Sequence, residues 1–379
     1  MSSKPREIRA VRIGDQPVDD LKPVRAGAAA LGGLTATFFA LAGIAAAAPG
    51  DLDPNFNGSG LLSLRVGDSE SAAFAVVQQI DGKLVLAGWG HSDDSNNAGF
   101  MVARVEEGGL PDSTFGIDGV AFADFSEMDD SASAAIQQTD GKLVLAGSAS
   151  TSTGSFDIGL ARFDTDGTLD ASFGNGGRAT LDIGGSHDFA SGLIEQPGGK
   201  YVIAGGAVGA GGLYQLAFAR FNADGALDTT FGTDGTTLVD FGSGTESFAS
   251  GLAQLPDGTL VGVGSVSGPT GWDVGIARVT MNGALDPSFD GDGLLTVDNN
   301  GNIDQAFAVA IQPDHAIVVA GVTAADAEIS VNNALLLRVN SDGSVEVLAR
   351  RSNDKALEAA DSLSDGVELT VFYGVDCSH

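Results

Sequence analysis

Aspartate is the residue type whose number and spacing in this sequence most readily suggest chemistry. Carboxylates recur near glycine-containing turns at matching distances along the chain, at Asp118, Asp166, Asp170, Asp224, Asp228, Asp234, Asp286 and Asp292. Calcium takes six to eight oxygen ligands, and loops that combine several carboxylates with flexible glycine supply such ligands. The spacing therefore makes these residues candidate calcium ligands.

The same aspartates have a structural interpretation. An Asp side chain in a turn often bonds its own backbone two residues on. The chain also lacks the D-x-[DN]-x-[DN]-G pattern of a calcium loop. Turn formation is thus the alternative for these residues. A separate Asp recurs nine residues after a repeated Phe, at Asp124, Asp182, Asp240 and Asp298.

Arginine recurs eight residues before several of these carboxylates. Arg162 precedes Asp170 by this distance, and Arg220 precedes Asp228. The spacing predicts a repeated Arg–Asp ion pair that fixes one strand against the next unit, a structural role rather than a catalytic one. The alternative is an unpaired Arg on a solvated face.

Other reactive residue types give no pattern. The four histidines, His91, His187, His315 and His379, stand at different places in the repeat, so no metal-ligand spacing appears. No nucleophile-elbow, zinc-protease or phosphate-loop motif occurs. Cys377 is the only cysteine, which excludes an intrachain disulfide. Trp89 and Trp272 are predicted to be packing residues, with sugar-binding platforms as the alternative. The sequence therefore identifies no catalytic residue and no site for an organic cofactor.

The net charge of −31 limits the possible partners. Nucleic-acid phosphates are bound by Lys and Arg, which release counterions, so DNA and RNA are excluded as partners. Docking on anionic lipid is disfavoured for the same reason. An acidic soluble surface or cation binding remains.

The first 48 residues are a targeting segment. Basic residues precede an uncharged stretch, 26–48, that ends in small residues of the kind signal peptidase accepts. Residues 1–48 are therefore predicted to be a signal peptide, or an uncleaved anchor, since 23 uncharged residues can also span a bilayer. In either case the protein is exported: secreted, periplasmic or on the cell surface. A protein or carbohydrate ligand is expected there, and membrane contact only through this segment.

An internal repeat organises the rest of the chain. The phrase Leu-Asp-x-x-Phe and its variant place phenylalanines 59, 58, 58 and 58 residues apart, at Phe56, Phe115, Phe173, Phe231 and Phe289. A Gln follows each Phe after 23 residues, then an Asp-Gly-like turn and an apolar run that ends in Gly. Such regular spacing indicates five copies of one structural unit.

Each unit is predicted to contain four short strands. Apolar runs alternate with Gly- and Asp-containing turns, and no helical periodicity appears after residue 48. In the third unit the strands are expected at 178–183, 189–195, 200–204 and 215–221. Four-stranded units at this period favour an all-β propeller-like array over residues 49–343, in which stacked units bury the repeated phenylalanines. A β-solenoid or an open repeat array is the alternative.

The end of the chain departs from the repeat. Residues 344–379 lack the Leu-Asp-x-x-Phe phrase, but Asp365-Gly366 and the apolar run 367–373 resemble part of a unit. This segment is predicted to be a degenerate, partial sixth repeat or a tail. No segment before Asp51 supplies a missing strand, so closure of a ring by strand exchange is not predicted.

The combined motif resembles the bacterial delta-60 repeat family. The resemblance covers about residues 51–343 and rests on Leu-Asp-x-x-Phe-Gly-x-Asp-Gly, Gln-x-Asp-Gly-Lys-x-Val-x-Ala-Gly and Ala-Arg-Phe-x-x-Asp-Gly. It implies a repeated, propeller-like β module in exported bacterial proteins and brings no catalytic residues.

Regular repetition without a catalytic cluster leads to the functional expectation. The sequence favours an exported, non-enzymatic binding or structural scaffold. A calcium-dependent adhesion module is one alternative, and an enzyme with its site in the central channel is another.

Overall fold

The computed structural model describes residues 52–66, 70–92, 97–126, 128–209, 211–269, 271–299, 303–324 and 332–349. Within these ranges the chain is all β, with five separate four-stranded antiparallel sheets. None of the described residues forms a helix long and apolar enough to cross a bilayer. The predicted targeting segment, 1–48, lies outside the described residues, as does 350–379.

The strands follow one another within each sheet in chain order. The first sheet contains β1 (Ser71–Gln78), β2 (Leu84–His91), β3 (Ala98–Val105) and β4 (Val120–Ala123). The second contains β5 (Ser131–Gln137), β6 (Leu143–Ser150), β7 (Phe156–Phe163) and β8 (Arg178–Leu181). The third contains β9 (Asp188–Gln196), β10 (Lys200–Val208), β11 (Tyr214–Phe221) and β12 (Thr236–Val239). The fourth contains β13 (Ser247–Gln254), β14 (Leu260–Ser267), β15 (Trp272–Val279) and β16 (Leu294–Val297). The fifth contains β17 (Asp304–Ile311), β18 (Ile317–Ala324), β19 (Asn332–Val339) and β20 (Val345–Ala349).

A repeated glycine lets the first strand of each sheet bulge against the second. The pairing of β1 with β2 shifts register between Ala73 and Ala75, and the other sheets shift at the matching place. A Cβ on Gly205 would collide with the carbonyl oxygen of Phe189. The same collision would occur at Gly88, Gly147, Gly264 and Gly321. This explains why the apolar run of every unit ends in glycine.

Consecutive sheets pack face to face, and their first strands lie next to one another. Phe100 and Val102 of the first sheet share a core with Leu143 and Leu145 of the second. Equivalent cores join the second to the third sheet, the third to the fourth and the fourth to the fifth. This is the arrangement of propeller blades around their inner strands, and the predicted fold class is confirmed.

The repeated phenylalanines lie in these cores, with one exception. Phe115, Phe173, Phe231 and Phe289 are each 0% exposed, as predicted. Phe56 is only partly buried, so the prediction that it is buried like the others is wrong. The other four phenylalanines each lie between two described sheets, whereas no described sheet lies on the outer side of Phe56.

The sequence repeat and the sheet are out of phase. Residues 178–183 were expected to open the third unit, but β8 pairs with β7 and is the fourth strand of the second sheet. The other three expected strands of that unit match β9, β10 and β11. The repeated Phe therefore lies within the excursion between the third and fourth strands. A crossover of six or seven residues, such as 182–187, then leads to the next sheet.

Candidate metal sites at the crossovers between sheets

One end of each of the first four sheets carries an ion-pair network that is largely buried. Arg220 Nε lies 2.6 Å from Asp228 Oδ2, and Arg162 Nε lies 2.7 Å from Asp170 Oδ2. Arg104 with Asp112 and Arg278 with Asp286 repeat the pair, at 2.7 and 2.9 Å. The predicted Arg–Asp pairing is therefore seen at both named positions. Since Asp112 and Asp286 pair in the same way, it is a feature of the unit.

Each of these arginines also reaches the following sheet. Arg220 Nη1 donates to the carbonyl oxygen of Met281 at 2.6 Å, and Arg162 Nη1 donates to that of Ala223 at 2.6 Å. The guanidinium of Arg220 stacks on Phe231, 4.9 Å from the ring centroid. A cation over an aromatic face is an attractive contact, and the buried Phe gains a polar partner. The network is thus structural and ties one sheet to the next.

A lysine completes the network in three of the sheets. Lys200 Nζ lies 2.6 Å from Asp228 Oδ2, and Lys142 and Lys83 contact Asp170 and Asp112 in the same way. Burial by itself raises the pKa of Asp228, but hydrogen bonds from Lys200, Thr230 and Arg220 outweigh this and hold it well below its usual range. In Asp170 and Asp228, for example, both carboxylate oxygens therefore accept hydrogen bonds.

The candidate calcium ligands predicted from the sequence lie at this same end of the sheets. Asp166, Asp224 and Asp292 each accept a hydrogen bond from the amide two residues on, at 2.9, 3.0 and 2.9 Å. Asp170, Asp228 and Asp286 do the same while pairing with arginine. Asp118 and Asp234 adopt positive φ angles of 53° and 51°. The turn geometry expected of the alternative is present, and calcium binding by these eight residues stays a prediction.

A different carboxylate cluster lies at the opposite end of the fourth sheet. Asp273 is the second residue of β15, Asp298 follows β16, and Asp304 is the first residue of β17. One carboxylate oxygen from each lies within 4.8 Å of the others. Asp304 is 0% and Asp273 5% exposed, whereas Asp298 is exposed at the mouth. Three acidic side chains thus converge where the chain crosses from the fourth sheet to the fifth.

The two buried members of this cluster are incompletely satisfied. Asp304 Oδ2 accepts a hydrogen bond from the Asn299 amide at 2.6 Å, which anchors the crossover. Among the described residues, Oδ1 of Asp304 and Oδ1 of Asp273 have no hydrogen-bond partner. Because an unpaired buried carboxylate is costly, such oxygens call for a proton or a cation.

The electrostatics agree with this geometry. Burial, followed by the charges of Asp298 and Asp304, raises the pKa of Asp273 to about 6. Burial also raises the pKa of Asp304, with Asp298 adding to the rise and the Thr323 hydroxyl and Asn299 amide opposing it. A bound cation would remove the mutual repulsion and favour the charged forms of all three groups.

The crossover from the second sheet to the third has the same arrangement. Asp157, Asp182 and Asp188 bring one oxygen each within 4.8 Å of the others. Asp188 is 0% exposed; its Oδ2 accepts from the Ile183 amide at 2.5 Å, and its Oδ1 has no partner in hydrogen-bond geometry. Burial raises the pKa of Asp188 to about 6, against the opposing effect of the Ile183 and Val208 amides. The fold therefore builds this carboxylate site twice.

The other two equivalent crossovers lack the site. At the first, Gly99 replaces the Asp of the third strand, and Asp130 accepts hydrogen bonds with both oxygens, from Phe125 and Ser150. A Cβ on Gly99 would collide with the carboxylate of Asp124. At the crossover after the third sheet, Gln215 and Ser247 stand at the two buried positions beside Asp240. Among the described crossovers, three converging carboxylates therefore occur at two, and the cluster is not part of the repeated pattern.

The complete clusters suit a hard divalent cation. Their donors are oxygens alone, without His or Cys, which matches Ca²⁺, Mg²⁺ or Mn²⁺ rather than zinc or copper. Calcium binds oxygens at about 2.3–2.6 Å, so ligands on opposite sides of the ion lie about 5 Å apart. In both clusters the three carboxylate oxygens lie within 4.8 Å of one another, close enough to share one ion. Acidic clusters able to hold a metal ion are therefore present, as expected, although at other residues.

Comparison with known families supports the repeat. Residues 79–115, 138–173, 196–231 and 255–289 match the model of a family described as a β-propeller domain of unknown function, DUF5122. Each matched segment runs from the end of a first strand to the repeated Phe. The chain is thus related to propeller-like repeat proteins. No curated protein matches its sequence.

Several solved structures are similar in overall fold. A thermostable family-43 glycoside hydrolase has 14% identity and a TM-score of 0.42, with 77% of this chain and 97% of that chain covered. A Penicillium chrysogenum α-L-arabinanase complexed with arabinobiose has 11% identity and a TM-score of 0.44, with coverage of 70% and 80%. A protein of unknown function from Dyadobacter fermentans has 13% identity and a TM-score of 0.44, with coverage of 75% and 84%. Likeness at this level assigns no reaction or substrate to this chain.

These neighbours correct one expectation from the sequence. Regular repetition without a catalytic motif suggested a non-enzymatic scaffold. Glycoside hydrolases are among the similar structures, and the lack of a recognised catalytic motif does not exclude an enzyme. The non-enzymatic interpretation is therefore withdrawn.

Proposed function

We propose that this protein is a calcium-binding propeller of the delta-60 repeat type that acts outside the cytoplasm. One cation binds Asp157, Asp182 and Asp188, and another binds Asp273, Asp298 and Asp304. The observation that carries the proposal is that Oδ1 of Asp188 and Oδ1 of Asp304 are buried and accept no hydrogen bond from the described residues. Each of these two aspartates lies close to two further carboxylates.

The position of each site gives the cation its role. The three ligands come from the third strand of one sheet, the crossover that follows, and the first strand of the next sheet. A cation held there links consecutive blades and relieves the repulsion between carboxylates. We therefore infer that the stability of the propeller follows the calcium concentration.

Two observations, one from the sequence and one from the carboxylate clusters, support an extracellular setting. Residues 1–48 have the composition of an export signal. Three carboxylates with part of the shell left to water or backbone oxygens correspond to a weak site, and extracellular calcium modules bind with Kd values of about 0.1–1 mM. Such sites are filled where calcium is abundant.

Thermal unfolding in calcium and in excess chelator tests this proposal. Binding to the folded state alone stabilises by about 1.4 kcal/mol per site at a calcium concentration ten times Kd. The melting temperature is expected to rise by several degrees, and sodium at equal ionic strength is expected not to reproduce the rise. Asp304→Asn and Asp188→Asn should each reduce the rise. The matched control Asp257→Asn, which alters the turn between β13 and β14 at the other end of the fourth sheet, should leave it intact. An equal response of wild type and the Asp188→Asn/Asp304→Asn double variant would refute the proposal.

A further inference from the structure

Residues 52–66, which precede the first sheet, repeat the segment that ends each later unit. The Gly60 amide donates to the Phe56 carbonyl at 2.7 Å, as the Gly119 amide donates to that of Phe115 at 2.9 Å. The Asn57 amide donates to Gly108 of the first sheet at 2.8 Å, and the Gly116 amide donates to Asp166 of the second at 2.7 Å. Residues 52–66 thus stand to the first sheet as 111–125 stand to the second.

By this equivalence, residues 61–64 correspond to the fourth, outer strand of a blade, although they belong to none of the five described sheets. Five residues after Phe115, β4 begins as the fourth strand of the first sheet, and β8 follows Phe173 by the same distance. The same count from Phe56 gives residues 61–64. Leu64 and Val66 pack on Met101, Ala103 and Val120, on the side of the first sheet that faces away from the second. Residues 61–64 therefore occupy the outer-strand position of a blade that precedes the first.

The first sheet carries an apolar groove at the place where the inner strands of that preceding blade would pack. Leu143 and Leu145 of the second sheet are 0% exposed beneath the first sheet, whereas the equivalent Leu84 and Leu86 are only partly buried. Val76 on the first strand is 46% exposed. The groove has a volume of about 380 Å³ and lies between Phe56, Leu62 and Leu64 on one side and Val76, Leu86 and Met101 on the other.

The chain itself contains a segment suited to this groove. After β20 ends at Ala349, residues 350–355 match in length the six-residue crossovers 182–187 and 298–303. The Asp365-Gly366 turn and the apolar run 367–373 then repeat the hairpin that opens each sheet, where Asp140-Gly141 precedes β6. By this count, 356–363 and 367–373 correspond in sequence to the first and second strands of a unit.

We propose that residues 356–373 pack into the groove as the inner strands of a sixth blade, with residues 61–64 at its outer edge. This blade closes the array by joining segments from the two ends of the repeat region. The inference is independent of calcium binding.

Thiol accessibility tests the docking. In a Cys377→Ser background, which removes the only native cysteine, Val76→Cys introduces a single thiol in the groove. Ile80→Cys, at a position that is 95% exposed, provides the reference. The Val76→Cys thiol should react with a maleimide at least tenfold more slowly than the reference. Adding Leu369→Asp and Val371→Asp should restore fast labelling, whereas the control Ser378→Asp should not.

Hydrogen exchange on the unaltered protein keeps the test independent of how the variants fold. Amides within 356–363 and 367–373 should exchange at least a hundredfold more slowly than an unstructured chain. Labelling of Val76→Cys at the reference rate, or exchange of both segments at unstructured rates, would overturn the proposal. Protection that disappears on dilution, together with a dimer mass by light scattering, would assign the groove to a second copy instead and would also overturn it.

Discussion

Arg220 and Asp228 are joined within a blade by a 2.6 Å ion pair, and Arg220 also donates to the Met281 carbonyl of the next blade. Both side chains are buried, with residue exposures of 6% and 4%. Since one guanidinium serves both contacts, the geometry of the blade and the docking of its neighbour depend on each other.

Arg220→Ala should therefore destabilise the protein strongly. Removal of Arg220 leaves Lys200 as the cationic partner of the buried Asp228 and takes a donor from the Met281 carbonyl, and breaking a buried pair costs up to about 3–5 kcal/mol. At about 2–4 °C per kcal/mol, the melting temperature should fall by roughly 6–20 °C, measured by calorimetry. Arg338→Ala is the control, because Arg338 pairs with Asp314, whose side chain is 58% exposed, and exposed pairs contribute about 0–1 kcal/mol. Equal effects of the two substitutions would contradict the assignment.

The same network predicts an acid limit of stability. Hydrogen bonds from lysine and arginine hold the pKa values of Asp112, Asp170 and Asp228 below the ordinary range against the effect of burial. A carboxyl whose folded pKa is depressed stabilises the fold above its unfolded pKa, about 3.9, and loses that contribution as pH falls towards the folded value. The stability difference between wild type and Asp228→Asn should therefore be constant from about pH 5 to 7 and shrink below about pH 4. A difference that stays constant down to pH 2 would contradict the assignment.

The glycine that faces the bulge, within each second strand, should not tolerate a side chain. In Gly205→Ala, the added methyl group collides with the Phe189 carbonyl at the bulge of the first strand. Backbone atoms cannot move aside as a flexible side chain can, so the melting temperature should fall by several degrees. Gly176→Ala is the control, because a Cβ there meets no atom within 4 Å, although its φ of 61° adds a cost of its own. A smaller loss at Gly205 than at Gly176 would show that the bulge is adaptable.

The crossover after the third sheet should become a cation site when its two replaced positions are restored. Gln215→Asp with Ser247→Asp places two carboxylates beside Asp240, as at the two complete clusters. Isothermal titration calorimetry should then show three calcium ions per chain instead of two. Gln215→Asn with Ser247→Asn changes the same positions without adding charge and should leave the stoichiometry at two. Two ions in both variants would mean that the three carboxylates alone do not make the site.

Much of the architecture could be predicted from the sequence because it is repeated. The Asp-Gly turns, the buried Phe and the Arg–Asp pair recur at constant spacing, so one physical explanation applies to every unit. The phase of the blade could not be obtained in this way, since a repeat has no natural starting point. Only the pairing of β8 with β7 shows that the strand after Phe173 closes a sheet instead of opening one.

The carboxylate clusters were missed for the opposite reason. Asp182 and Asp298 belong to a regular series, but their buried partners do not. The positions of Asp157 and Asp188 hold Gln and Ser after the third sheet, so a search for repeated residues passes over them. Their convergence also depends on the crossover, which brings the end of one sheet beside the start of the next.

Terbium luminescence tests the cation sites most directly, since Tb³⁺ prefers the same oxygen ligands and is sensitised by nearby indole. Trp272 immediately precedes Asp273, and the only other tryptophan, Trp89, lies in the first sheet. Excitation of tryptophan should give a saturable Tb³⁺ signal that calcium displaces. Asp273→Asn and Asp304→Asn should abolish it, while Trp89→Phe and Asp257→Asn should leave it unchanged. A signal that survives Asp273→Asn and Asp304→Asn, or the absence of any saturable signal, would contradict calcium binding at this crossover.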